Sequence, residues 1–237
     1  MPDQQRLKHD EQPNLRPVDQ PESLKQIAYR AMHKALMAGE LKQGEIYKEK
    51  ELSKLLSTSR TPVREALLEL AAKGMVTFLP RKGVLINQFD VQDLNEIFEL
   101  RKALELAAVE KVAGIIADND LEKLQAVLDE QRISAEENDV LRFLDLDRRF
   151  HTLLSAMTNN RRLVESLETI RDLLQVMSAK ALAAEGRLEE VIREHETVLQ
   201  AVAAKDPGLA REKMDLHLEE SRKKTEAGMK GSSPPIL

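Results

Sequence analysis

From Val91 to about Glu226 one pattern repeats: apolar residues fall three and four apart, and charged residues fill most other positions. That is the period of helices with one buried face. β-Branched clusters and glycines are scarce here, and the breaks in the pattern predict six helices, at 91–116, 119–136, 139–157, 160–183, 187–204 and 207–226. Asp206 before Pro207 suits a cap and first turn for the last of them. Aromatic residues make up only 3% of the chain, so Leu, Val, Ile, Ala and Met must supply the packing.

The first ninety residues read differently. A helix is expected from Ser23 to Ala38, with Leu24, Ile27, Ala28, Ala31 and Ala35 as its apolar stripe and Gly39 just past its end. A shorter helix follows from Lys48 to Leu56, with Leu52, Leu55 and Leu56 inward. Three small polar residues, Ser57 to Ser59, lead into a third helix. Thr61 is its expected cap, Pro62 lies in its first turn, and Val63, Leu67 and Leu70 face a core. After Gly74, two β-prone runs, Val76–Leu79 and Val84–Asn87, flank Pro80-Arg81-Lys82-Gly83 and predict a hairpin. Helix, helix, turn, helix and hairpin make a winged helix-turn-helix. The predicted fold is therefore mainly α: a winged helix-turn-helix over 22–88 and an all-helical bundle of about six helices over 89–227. Residues 1–21, polar with four prolines, and 228–237 are expected to be tails.

The net charge of -5 looks wrong for a nucleic-acid binder until it is divided by region. Residues 22–89 carry 12 Lys and Arg against 7 Asp and Glu, whereas residues 90–237 carry 21 against 30. The positive charge thus belongs to the helix-turn-helix. Arg60, Thr61 and Arg64 fall on the outer side of the third helix's first turn, where guanidiniums and a hydroxyl suit phosphates and guanine edges. Arg81 and Lys82 at the hairpin tip suit a minor groove or backbone. The chain has no cysteine, no apolar signal segment and no run long enough to span a membrane, which together predict a cytoplasmic protein.

Polar residues on the apolar stripes of the second region carry the other candidate chemistry. Asp147 and His151 share a face with Leu144 and Leu154. His195 lies in line with Val191, Val198 and Val202, and His217 with Ala210 and Met214. Each histidine taken singly could be a hydrogen-bonded core residue. Together the four could share a divalent metal, Zn²⁺ foremost, with Ni²⁺, Mn²⁺ or Fe²⁺ as alternatives. No general base or nucleophile constellation is visible beside them, so an enzyme is not expected.

Residues 48–87, with the run Ser59-Arg-Thr-Pro-Val-Arg-Glu-Ala-Leu67, a following glycine and a basic wing, resemble the DNA-binding domain of the GntR regulators. One departure is Ser57-Thr58, where that family usually has glycine and valine. The resemblance implies DNA contacts from Lys50, Ser59, Arg60, Thr61, Arg64, Arg81, Lys82 and Gly83. Residues 91–226 resemble the ligand-binding domain of the FadR branch, on Glu99-Leu-Arg-Lys-Ala-Leu-Glu105, Asp147, Phe150-His151, Asn160, Leu163, Glu194-His195 and Asp206 to His217-Leu218. Six helices point to its VanR-like subgroup. This likeness implies that Asp147, His151, His195 and His217 are metal ligands and that Arg101 faces a cavity for a small organic acid. Arg101 could instead pair with Glu105, one turn away. The expected protein is a homodimeric repressor that reads an inverted repeat and is released by a carboxylate. A repressor responding to metal alone is the alternative.

Overall fold

The computed structural model describes residues 22–230. The amino-terminal part comprises α1 (Leu24–Met37), β1 (Ile46–Tyr47), α2 (Glu49–Leu55), α3 (Arg60–Ala72), β2 (Val76–Leu79) and β3 (Gly83–Ile86). Ser23 and Gln26 form a reciprocal capping box on α1, satisfying backbone donors that the helix cannot pair itself. The strands form an antiparallel sheet in the order β1-β3-β2. Strand β1 was not expected, because two residues carry no readable alternation.

Three local expectations need correction. The buried face of α1 is Ala28, Met32, His33 and Leu36, while Leu24 and Ile27 point outward, so the stripe is turned by about one residue. On α2, Leu55 is 76% exposed and Ser53 is buried in its place. The Ser53 hydroxyl donates to Lys50 O, which removes the cost of burying it. The N-cap of α3 is Ser59, without a side-chain capping bond; Thr61 is already helical and does not cap. Val63, Leu67 and Leu70 are fully buried as expected.

The second part is six helices: α4 (Val91–Ala113), α5 (Asp118–Glu136), α6 (Val140–Ala156), α7 (Arg161–Leu182), α8 (Arg187–Ala203) and α9 (Pro207–Lys230). Asp90 and Asp93 box the start of α4, Asn160 Oδ1 accepts from Leu163 N, and Asp206 Oδ1 accepts from Leu209 N. Residues 228–230, expected in a tail, continue α9; residues 1–21 and 231–237 lie outside the described residues.

The main core joins α4, α5, α6, α8 and α9, with Val109, Val112, Leu124, Leu128, Phe150, Val198, Val202 and Met214 at its centre. A separate core fills the winged helix domain, and Val176 and Leu173 of α7 pack into it. Helix α7 therefore belongs to both parts. Among the described residues no helix is long and apolar enough to cross a membrane.

Candidate metal centre and nucleic-acid interface

Helices α6, α8 and α9 bring Asp147, His151, His195 and His217 together, with one donor atom from each within 4.8 Å of the others. His151 Nε2 lies 3.2 Å from His195 Nε2 and 3.3 Å from His217 Nε2. Asp147 Oδ1 lies 3.8 Å from His151 Nε2 and 3.5 Å from His195 Nε2. Donors bound tetrahedrally at about 2.0–2.1 Å would stand about 3.3–3.4 Å apart.

The outer nitrogens decide what the inner ones can do. His151 Nδ1 is 2.5 Å from Glu105 Oε2, His217 Nδ1 is 2.7 Å from Glu194 Oε2, and His195 Nδ1 is 3.0 Å from Gln131 Oε1. These oxygens accept, so each Nδ1 carries a proton and donates it. Every Nε2 is left as a lone pair. Burial holds all three imidazoles below their ordinary pKa, so no second proton relieves the crowding. Three buried acceptors thus converge, and among the described residues the donor bonded to them is Arg101 Nη2, 3.2 Å from His151 Nε2. Such a set could hold a metal ion, with outer acceptors orienting the rings as metal-binding histidines require. The Phe150 ring stacks on His195 at 4.3 Å and fixes its plane.

Two buried arginines complete the charge balance. Arg101 Nε donates to Glu105 Oε1 at 2.7 Å, so the expected alternative pairing forms. Arg171 Nη1 donates to Asp147 Oδ2 and Nη2 to Glu105 Oε1, each at 3.1 Å. Burial alone would raise Glu105 and Asp147, but the guanidiniums of Arg101 and Arg171, with the His151 Nδ1 proton donated to Glu105, outweigh it and hold both below the usual carboxylate range. Asp147, with 18% of its side chain exposed, is the least buried of the four candidate ligands. It lines a cavity of about 30 Å³ with Arg101, Arg187, Lys224, Ser178 and Ser221. That is space for roughly one or two waters. A larger cavity of about 700 Å³ lies at the junction of the two parts, away from the histidines.

On the other part, Lys50, Ser59, Arg60, Thr61, Arg64, Arg81 and Lys82 are all exposed. A groove of about 470 Å³ runs between α3 and the hairpin, lined by Lys48, Glu49, Arg64, Phe78, Pro80, Arg81 and Lys82. Arg64 reaches across it, donating to Glu49 at 3.1 Å and lying 6.0 Å from the centre of the Phe78 ring. At the tip, Arg81 takes a left-handed φ of 63°. Gly83 has φ 134°, and a Cβ there would sit 2.4 Å from Tyr47 O. The glycine is therefore what lets β1 approach β3.

Residues 24–86 match the model described as "Bacterial regulatory proteins, gntR family", and residues 96–220 match the FCD domain. The chain belongs to the gntR family, with an FCD domain. It is 30% identical over 193 residues to the uncharacterized HTH-type transcriptional regulator YdhC of Bacillus subtilis, covering 80% of this chain and 85% of that one. It is 26% identical over 195 residues to the HTH-type transcriptional repressor RspR of Escherichia coli, covering 82% and 86%. Among solved structures, E. coli McbR/YncC superposes with a TM-score of 0.77 at 25% identity, over 88% of this chain and 100% of that one. The gntR-type helix-turn-helix implies DNA binding, and the FCD domain implies a small-molecule effector.

The FCD domain also holds residues that the sequence pattern did not single out. Arg171 lies on the buried stripe of α7 with Leu167, Ile170 and Leu174, and an arginine at that spacing was a readable signal. Gln131 follows Leu124, Val127 and Leu128 on the buried face of α5 in the same way. Glu194, already named as a mark of the resemblance, is held from behind by Arg187, two turns earlier on α8, at 2.6 Å.

Proposed function

We propose that this GntR-family protein is a homodimeric repressor whose grip on an inverted-repeat operator is released by a small organic acid bound beside a divalent metal. Asp147, His151, His195 and His217 would hold the metal, and three nitrogens with one oxygen favour zinc. One observation supports this reading above the rest: all three Nε2 lone pairs converge while every Nδ1 is committed outward. Once bound, the ion would supply a Lewis-acidic centre for a carboxylate oxygen. Glu105 and Asp147 balance Arg101 and Arg171, so two added positive charges would leave the site attractive to an anion. Arg101 lines the adjoining cavity and would clamp the acid's far end. Six FCD helices favour the VanR-like subgroup.

On the DNA side, Arg60, Thr61 and Arg64 of α3 would enter the major groove, with Lys50 and Ser59 on phosphates. Arg81 and Lys82 would extend the wing, which Gly83 shapes. The test is footprinting on the protein's own promoter region, followed by calorimetry with candidate acids on zinc-loaded protein and on Asp147→Ala. Protection of a palindrome, with acid binding that needs Asp147, supports the reading; no protected palindrome, or equal acid binding by both proteins, refutes it.

The small cavity favours a second reading, in which metal alone is the signal, because an organic acid needs more room than about 30 Å³. Titrating zinc against operator binding with no acid present separates the two.

A further inference from the structure

Helices α6 and α7 are cross-linked by two consecutive residues on each. Asp147 and Arg148 face Arg171 and Asp172 with the charges reversed: Arg171 Nη1 donates to Asp147 Oδ2 at 3.1 Å, and Arg148 Nη1 lies 2.5 Å from Asp172 Oδ1. The second rung lacks hydrogen-bond alignment, so it is a Coulombic contact. Asp172 is itself buried, and two groups of the winged helix domain converge on its other oxygen. Lys73 Nζ is 2.6 Å from Asp172 Oδ2, and Tyr29 OH donates to the same atom at 3.3 Å. Lys73 also donates to Tyr29 OH at 2.8 Å. Burial would lower the Lys73 pKa, but Asp172 and Tyr29 raise it, so the lysine stays charged.

Lys73 is the C-cap residue of α3, the helix assigned above to DNA reading. A continuous line of charge therefore runs from a candidate metal ligand, across α7, to the end of that helix. We propose that this ladder, Asp147–Arg171, Arg148–Asp172 and Asp172–Lys73, transmits occupancy of the histidine–aspartate site to α3. The inference rests on the metal-site reading above and adds the route by which it acts.

The ladder can yield without breaking either domain. A cation on Asp147 Oδ1, the oxygen facing the histidines, draws charge from the carboxylate and repels the Arg171 guanidinium bonded to Oδ2. Because 147–148 and 171–172 are consecutive pairs on stiff helices, a shift at the first rung moves the second. Lys73 Nζ also lies 3.7 Å from Glu69 Oε1, one turn back on α3, and Glu69 is itself paired with Lys25 at 2.7 Å. Loosening the Asp172 contact would leave Lys73 on Glu69 alone, the second arrangement that coupling between distant sites requires.

The test is hydrogen exchange on the full-length protein with and without zinc chloride, comparing wild type, Lys73→Met and Lys73→Arg. Lys73 is at a helix end and partly exposed, and Arg148 still faces Asp172, so the variants are expected to fold. In wild type, zinc should change exchange in α6 and, by roughly two- to thirtyfold, at the amides of residues 73–75. Lys73→Met should keep the α6 change and lose the one at 73–75, and Lys73→Arg should restore part of it. A wild-type response confined to α6, or one at 73–75 that survives in Lys73→Met, overturns the ladder while leaving the metal site intact. No response in either segment overturns the metal-site reading and the ladder with it.

Discussion

Replacing Gln131 by leucine should weaken metal binding while leaving the metal-free fold about as stable as before. Gln131 is fully buried, and its Oε1 accepts the His195 Nδ1 proton at 3.0 Å. That bond keeps the His195 Nε2 lone pair directed at the other ligands. Leucine has a similar shape but cannot accept, so the imidazole is free to change tautomer or rotate. Loss of such an outer partner typically costs 10- to 100-fold in metal affinity, about 1.4–2.7 kcal/mol. The metal-free balance is different. The variant strands His195 Nδ1–H, a penalty of about 1–3 kcal/mol, but it also removes Gln131 Nε2, a buried donor with no partner, whose penalty is of the same size. The two nearly cancel. Zinc affinity would be read by competition with a chromogenic chelator, and stability by thermal melting in excess chelator. Wild-type zinc affinity in Gln131→Leu would refute the argument that Gln131 sets the His195 tautomer. A large fall in the metal-free melting temperature would refute the claimed cancellation.

Other perturbations have equally definite signs. In chelator, the fold should lose stability as pH falls below about 6.5. Burial depresses the folded pKa of His151, His195 and His217, so the unfolded chain binds more protons in that range, and stability is fully present only above it. Melting curves from pH 8 to 5 check this, and a flat profile contradicts it. Gly83→Ala should disrupt the wing, since φ 134° and the close Tyr47 carbonyl both exclude a side chain; backbone strain alone costs about 1–3 kcal/mol. Operator affinity should drop while zinc affinity is unchanged. Glu49→Gln should free Arg64 and tighten DNA binding by no more than about fivefold, because an exposed pair contributes only about 0.2–1 kcal/mol. Gel-shift titration at fixed salt reads it, and weaker binding would mean that Glu49 aims Arg64 rather than restraining it.

The succession of elements was already written in the chain. Period and punctuation located α4 to α9 within a few residues, because caps such as Asn160 and Asp206 act locally. The inward placement of His151, His195 and His217 was equally legible, since a polar residue in step with Leu, Val or Met on a helix must share their face. Packing alone decided the rest. Leu24, Ile27 and Leu55 fit an apolar stripe but point outward, because the neighbouring helices set the angle at which an ambiguous face is buried. Which acceptor each Nδ1 meets, that Arg171 serves both Asp147 and Glu105, and that Lys73 reaches Asp172 are contacts between residues 23 to 99 positions apart. Spacing along one helix sets the direction of a side chain, but a partner from another helix depends on how the two axes cross, and that emerges only when the whole core closes.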